Sequence, residues 1–544
     1  MPTESPAPAW RRYPAVCVLG LFVLLAVVHT WPLASDPAGL SRNENSDTVL
    51  NEWAIAWVAH QTFAHPLQLF EANIFYPSHL TLAFSEHMFP VAMMGAPLFW
   101  LGASPVLVYN LLLLAGFALS GWSLAIVMHR WTCDWLAGIL AGSIFAFNTH
   151  TLTRLPHLQA LHLEFFPPAL LALDTLLRDP RVRHGLMLAL WFVLAALTSN
   201  YLLVFTLTAL GAALVVRPDA WRLQRLPQLR LSQALAITAI VSAVVLFPFL
   251  WPYYQVQRLY GLVRSLQDVT MYSASWNDYL ATASCLHYAL WSEPFYLRAN
   301  VSLFPGVVPL ALAAAAIATG VALRDRRARM CLAVGVAGLL LSFGTSLPGY
   351  ALLYRIVPLL QGIRSVNRFG FLLIFAVAAL AGFAVASLRT RTRLATTIAI
   401  VAIVLVNVEA FRAPMQYQRF DNIPGIYTLL AHQPPTAIVA EFPFDDPHHA
   451  YEGAISMLYS TRHWRPMLNG YSGFIPPSYR DFAEKLADFP SAHALATLRA
   501  AGVTHVVVHH DRFGPMPEHV DGLTLIATGR HISLYKLNAT TATR

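Results

Sequence analysis

The feature that most limits what this chain can fold into is a run of apolar stretches, each close to the ~20 residues that cross a bilayer. They lie at about 14–33, 105–128, 133–148, 159–177, 233–254, 303–322, 329–346, 368–388 and 393–411. The stretch 186–216 is too long for one ordinary span, and its middle, "TSNYLL", is polar around Asn200, which predicts two short helices turning there. Only 12% of the 544 residues are charged and 56% are hydrophobic, where a soluble domain is about a quarter charged. The expected fold class is mainly α: a polytopic α-helical membrane protein of about eleven spans.

The uncharged stretch from Tyr13 to Ser35 exceeds the roughly 7–15 residues of a signal-peptide core and reads as a retained helix. The net charge of +8 comes from short arginine clusters between apolar runs. That pattern suits cytoplasmic loops and argues against nucleic-acid binding. Arg11 and Arg12, Arg130, Arg178 to Arg183, Arg217 to Arg230, "RDRRAR" at 324–329 and "RTRTR" at 389–393 fall on one side if 86–101 does not cross. This predicts a cytoplasmic N-terminus in a bacterial inner membrane and makes 86–101, with Pro90 and Pro97, a set of helical pieces at the outer face.

The outer side then receives a first loop over about 34–104, a short loop near 149–158, a loop over about 255–302, one near 347–367, and everything after about 412. Residues 1–411 are the expected transmembrane domain. Residues 412–544 read as a small α/β periplasmic domain, with strands in "TAIVAEFPF", "GVTHVVVH" and "HISLYKL" and helices in "YRDFAEKLADF" and "SAHALATLRAAG". Cys17, Cys133 and Cys331 lie in or beside apolar runs and Cys285 stands alone in an outer loop, so no disulfide framework is expected.

Function is sought among polar groups on the outer side. In "SDTVLNEWAIAW", Asp47 precedes an amphipathic helix predicted to lie on the membrane surface, with Trp53 and Trp57 on its buried face and Glu52 on a solvated one. Asp47 reads as a helix N-cap, as a carboxylate that orients or deprotonates an acceptor hydroxyl or holds a metal, or as both. Glu86 reads as a helix-start carboxylate or a site residue. His157 and Gln159 open the fourth span on the outer side, and Glu164, about a turn further in, needs a partner or a water-filled cavity. Arg355, Arg364 and Arg368 stand at outer membrane ends against the positive-inside trend, either snorkelling or holding an anionic headgroup. Tyr254 and Arg258 carry a weaker hint of the same kind. Glycine-rich phosphate loops, nucleophile elbows and Cys or His metal spacings are missing, and the histidine-rich "DDPHHAYEG" and "THVVVHHD" do not match a metal motif.

The stretches "SDTVLNEWAIAW", "NIFYPSHLTLAFSEH", "LPHLQALHLEFFPPALLAL", "GIRSVNRFGFLL" and "NGYSGFIPPSYRDF", in this order, resemble the GT-C class of integral membrane glycosyltransferases, and within it the bacterial YfhO-like group. The resemblance implies transfer of a sugar from a polyprenyl-phosphate carrier to an envelope glycan, lipid or protein acceptor on the outer face, with inversion. It places the catalytic acid at Asp47, where "SDT" departs from the Gly-Asp-Pro of many members. It implies further catalytic roles for Glu86 and His157, and substrate contacts at Gln159, Glu164, Tyr254, Arg258, Arg364 and Arg368. The cofactor is left unknown, with a divalent metal open. A transporter or flippase of lipid-linked sugars and a non-catalytic envelope scaffold are the alternatives.

Overall fold

The computed structural model describes residues 13–218, 225–262, 264–298, 301–389, 394–517 and 519–539. Arg11, Arg12, Arg222 and most of "RTRTR" lie outside these residues. The chain divides into two compact units. The first consists of Met1–Asp36, Leu111–Phe249 and Val263–Met415, and the second of Pro37–Asn110, Leu250–Leu262 and Gln416–Arg544.

The first unit is a bundle. Its helices include Pro14–His29, Trp135–Ala146, Phe166–Arg178, Val182–Thr198, Asn200–Val215, Val307–Ala318, Arg326–Ser342, Gly370–Arg389 and Ala395–Ala410. The helices Pro105–Thr132 and Arg225–Tyr260 belong to both units along their length. Every apolar stretch read from the sequence therefore contains a helix. The break near Asn200 falls at Ser199, whose extended backbone ends one helix and whose hydroxyl caps the next by accepting the Tyr201 amide. Among the described residues three helices, Pro105–Thr132, Gln228–Tyr260 and Val366–Arg389, are long and apolar enough to cross a membrane, and six shorter apolar helices of 10–17 residues accompany them.

Close helix contact explains part of the bundle. Gly338 sits where an added Cβ would lie 2.4 Å from the Leu372 Cβ, and Gly335 where it would lie 2.4 Å from the Ala376 Cβ. Two small residues three apart thus let Arg326–Ser342 press against Gly370–Arg389. At the arginine-rich end Asp174 takes three partners: Arg217 at 2.8 Å, Arg178 at 2.7 Å and Arg327 at 3.3 Å. Asp174 and Arg217 are both buried. The Asp134 carboxylate similarly holds Arg389 at 2.8 Å. Part of the basic surplus is thus structural.

The second unit joins the first outer loop to the C-terminal stretch. Its sheet runs β1 (Val439–Phe442), β2 (His505–His509), β3 (Leu523–Thr528) and β4 (Ile532–Leu537), in the order β1-β2-β4-β3. Strands β1 and β2 are parallel and the other pairs antiparallel. Three strands match the sequence expectation; β3 was not foreseen, because its two faces alternate poorly at the surface (Leu523 is buried, Thr524 to Ile526 exposed). Helices Pro477–Lys485 and Ala492–Ala500 occupy the two stretches read as helical. A short antiparallel pair, 40–41 with 418–419, ties the two parts of the unit together.

The helix at "SDTVLNEWAIAW" differs from expectation. It spans Ser46–Ala64 and buries every residue from Thr48 to Ala59, so it is the core helix of its unit rather than a surface-lying one. The two indoles are placed by buried hydrogen bonds, Trp53 Nε1 to Asn73 Oδ1 at 3.1 Å and Trp57 Nε1 to the Leu69 carbonyl at 2.9 Å. The period from Val49 onward registered one apolar face, but small residues at Ala54, Ala56 and Ala59 let neighbours close over the others. The piece at 86–101 holds one helix, Phe89–Trp100, which is 12 residues long and so only about 18 Å at 1.5 Å per residue.

Candidate functional site

In the second unit Asp47 is not the cap. Asn45 caps the core helix, its side chain accepting the Asp47 amide at 3.0 Å, so Asp47 stands in the first turn. There its Oδ1 accepts the Tyr471 hydroxyl at 3.0 Å. The positive end of the helix dipole and this hydrogen bond both favour a carboxylate held in one orientation.

Glu52, read as solvated, is fully buried. The Ser41 hydroxyl donates to it at 3.3 Å, and with the Asn43 amide nitrogen turned toward it both carboxyl oxygens lie 3.0 Å away. Burial pushes its pKa well up, opposed only by the Ser41 bond. It is a buried acid held within its own unit.

Glu86 is half-buried and starts no helix: the next one begins at Phe89, after Met88 in a left-handed conformation. The neighbouring Ser85 carbonyl accepts the Tyr253 hydroxyl at 2.9 Å. His87 is buried and accepts the Phe89 amide at 3.1 Å through Nδ1. Tyr254 and Arg258 face each other at i and i+4 of the helix Arg225–Tyr260, with the Arg258 Nε donating to the Tyr254 hydroxyl at 3.0 Å. Both are exposed and belong to the second unit, whereas Arg364 and Arg368 belong to the first.

In the first unit, positive groups gather between the helices. After Trp135–Ala146 the chain makes a short helix, Thr149–Leu152, capped by Asn148, then a loop through Arg154 and His157. The fourth apolar helix starts only at Phe166, so His157, Gln159 and Glu164 lie in the loop before it rather than in its first turns. A narrow cleft of about 40 Å3 is lined by His150, Arg154, Gln159, Tyr201 and Arg368 with apolar neighbours.

Two arginines at or beside this cleft sit over tyrosine rings. The Arg368 guanidinium carbon lies 4.6 Å from the Tyr201 ring centroid, and that of Arg364 lies 4.9 Å from the Tyr272 centroid. Tyr201 also fixes the loop itself, its hydroxyl accepting the Ser365 amide at 3.2 Å, and the Tyr272 carbonyl accepts the Asn367 amide at 3.0 Å. Neither Arg364 nor Arg368 forms an ion pair among the described residues. The Arg368 Nε, the His150 Nδ1 and the Gln159 Oε1 are buried without a hydrogen-bond partner among them.

The electrostatics follow. Burial, then the charges of Arg368 and Arg154, push the His157 pKa well down, with Arg364 adding to it; His150 is pushed down by burial, Arg154 and Arg368. Burial and Arg368 bring Arg154 down to about 9, which still leaves it charged at neutral pH. Burial and then Arg364 also lower Arg264. Clustered guanidinium groups in a low-dielectric cleft repel one another and are stabilised by an anion. Stacking on a tyrosine leaves the guanidinium edge, with its fork of donors, directed at such a guest.

Glu164 has found its partner: its Oε1 lies 2.8 Å from the His162 Nδ1, while His162 Nε2 lies 3.0 Å from the Leu112 carbonyl, all of it buried. The His162 ring packs closely on Gly116, where an added Cβ would lie 3.1 Å from it, and Glu164 is not among the cleft's lining residues. Arg154, Arg264, Tyr201 and Tyr471 were missed from sequence. Arg154 and Arg264 carried a usable signal, since both are arginines in outer loops, as Arg364 is. Tyr201 and Tyr471 carried none. Three of the five histidines of the two histidine-rich stretches are absorbed locally: His449 by Asp446 at 2.6 Å, His509 by Glu441 at 2.7 Å and His510 by Ser533 at 2.8 Å. Among the described residues no three His, Cys, Asp or Glu side chains are grouped to hold a metal ion.

No protein-family model and no curated protein sequence matches the chain. Solved structures do match it. The arabinofuranosyltransferase AftD from Mycobacteria superposes with a TM-score of 0.58 over 98% of this chain, at 17% identity. The oligosaccharyltransferase of Archaeoglobus fulgidus in its apo form superposes with a TM-score of 0.53 over 92% of the chain, at 11% identity. The fold is GT-C-like. This chain spans 40% of the length of AftD and 70% of that of the archaeal enzyme. The archaeal enzyme, AglB, has also been solved with an inhibitory peptide and a dolichol-phosphate, and in that form it superposes on the GT-C-like fold of this chain with a TM-score of 0.50 at 12% identity.

Proposed function

We propose that the protein transfers a sugar from a polyprenyl-phosphate carrier to an acceptor of the cell envelope on the outer face of the bacterial inner membrane, with about eleven spans and its N-terminus in the cytoplasm. The observation that carries this reading is the cleft of Arg154 and Arg368, with Arg364 beside it, in which Arg364 and Arg368 meet tyrosine rings and no carboxylate. A buried cationic cluster is costly unless an anion completes it. Planar guanidinium groups match phosphate oxygens two at a time. The dolichol-phosphate bound to AglB is a ligand of the same chemistry.

A phosphate ester is already a competent leaving group, so the chain has two tasks. The arginines stabilise the negative charge that grows on the phosphate as the bond from the anomeric carbon to its oxygen breaks. Asp47, held by Tyr471, accepts the proton of the acceptor group as its oxygen or nitrogen bonds to the anomeric carbon. The products are the glycosylated acceptor and the carrier phosphate, with inversion. His157 is neutral beside the arginines and serves as a hydrogen-bonding group to the carrier phosphate. Gln159, with its unpartnered carbonyl oxygen, is a contact for a sugar hydroxyl, and Glu86 a second polar contact on the acceptor side.

Incubating membranes with a radiolabelled polyprenyl-phosphate sugar tests the reading. Transfer to an endogenous acceptor that is lost in both Arg368→Ala and Asp47→Asn supports it; movement of the lipid-linked sugar across the bilayer without transfer would replace it with a flippase.

A further inference from the structure

The second unit has another cleft, of about 650 Å3, that none of the groups above enters. Ligand pockets run to roughly 300–1,000 Å3. Its walls differ in character. Phe63 from the end of the core helix and Phe99 and Trp100 from the end of Phe89–Trp100 make one side. His60, Thr461 and Arg462 make the other. The His60 ring is stacked on Trp464 at 4.5 Å, and Trp464 meets Trp57 edge-on at 5.7 Å, so the floor is a fixed block of rings.

The apolar side continues outward as a lip. Phe63 and Trp100 touch edge to face at 4.7 Å yet are 58% and 62% exposed, and Leu101 and Leu67 beside them in sequence are 84% and 100% exposed. No Asp, Glu, Lys or Arg occurs from Trp53 to Phe70 or from His87 to His129. Pro105, which lines the cleft, is the first residue of Pro105–Thr132, one of the helices long and apolar enough to cross a membrane. An uncharged lip of Trp, Phe and Leu at the head of a span belongs at the lipid boundary, where aromatic rings concentrate. On the polar side, Arg462 is exposed and forms no ion pair among the described residues.

We propose that this cleft binds an amphiphile with an anionic headgroup, its hydrocarbon chain lying over Phe63 and Trp100 and its head meeting Arg462 and Thr461. The same chemistry is offered by a membrane phospholipid such as phosphatidylglycerol and by a lipid-anchored, phosphate-bearing glycan. The binding stands apart from catalysis and is read without it, so its failure leaves the transfer reading untouched and the reverse.

The test uses the full-length protein in nanodiscs and a diazirine-labelled phosphatidylglycerol, with the labelled peptides identified by mass spectrometry. Labelling of the 99–105 and 461–464 peptides is expected, at least fivefold stronger than with the matching phosphatidylcholine probe. It should fall at least fivefold in Arg462→Ala and in Phe63→Ser and be retained in Arg462→Lys, with unchanged melting temperatures. Unlabelled phosphatidylglycerol and unlabelled phosphate-bearing glycolipid are then added as competitors; the one effective at tenfold lower concentration identifies the source. Equal labelling by both headgroups, labelling unaffected by Arg462→Ala, or none in these peptides would overturn the proposal.

Discussion

Tyr201 holds Arg368 in two ways: its ring lies under the guanidinium, 4.6 Å from centroid to carbon, and its hydroxyl accepts the amide of Ser365, three residues before that arginine. Removing the hydroxyl alone in Tyr201→Phe costs about 1 kcal/mol of positioning, an expected rise of several-fold in KM for the lipid-phosphate sugar. Tyr201→Leu also removes the cation–ring contact, worth roughly 0.5–2 kcal/mol, and is expected to raise KM by ten- to a hundredfold. Equal KM values in both variants would separate the tyrosine from donor binding.

Arg154 is the buried member of the cationic cleft. Arg154→Lys keeps the charge and loses the planar fork, while Arg154→Gln loses both. Donor KM should rise in the order wild type, Lys, Gln, with the Gln variant at least tenfold above wild type. Because the arginines also crowd one another, Arg154→Gln should leave thermal stability unchanged or raise it when no donor is present.

His87 ties stability to pH. Burial holds it down at about 4, against an ordinary value near 6.5, and its Nδ1 accepts an amide, which only the unprotonated ring can do. The unfolded chain therefore takes up a proton that the folded one refuses. Stability is complete above about pH 6.5 and is lost as pH falls toward 4, by about 3 kcal/mol from this residue. His463, also buried and held at about 4, acts in the same direction. Melting midpoints of the purified protein should fall from pH 7 to pH 5. The fall should be shallower in His87→Gln, whose stability at pH 7 is lower; an unchanged pH slope would sink this assignment.

Asp174 is the hub of three arginines, with Arg217 buried against it. Asp174→Asn strands a buried guanidinium, and loss of one partner from such a pair costs about 3–5 kcal/mol. The double variant Asp174→Leu/Arg217→Met should recover most of that loss. A melting temperature lower in the double than in the single variant would mean the cluster is not coupled.

The helical segments were legible because a bilayer crossing imposes length and apolarity, which a sequence displays directly. Even the turn at Ser199 was visible, since polar residues inside a long apolar run have few uses other than a break. Burial of the Ser46–Ala64 helix was not legible. Its flanks resemble a surface helix, and the contacts of Ser41 and Asn43 with the buried Glu52 leave no periodic pattern in the sequence. Arg364 and Arg368 stood out by defying the charge rule, and Arg154 and Arg264 obeyed the same logic without being drawn from it. The supporting tyrosines were invisible, because a stacking contact between positions 201 and 368 leaves no local pattern. Glu164 looked like a cavity residue because a buried acid needs a partner; that partner, His162, lay two residues away.

The most direct test of the central claim is sugar transfer by purified protein in proteoliposomes, from a radiolabelled polyprenyl-phosphate sugar, with donor binding measured in the same samples. Arg368→Ala should weaken donor binding at least tenfold, whereas Asp47→Asn should bind donor as the wild type does and lose at least a hundredfold in the rate of transfer. Wild-type transfer rates in both variants would contradict the account.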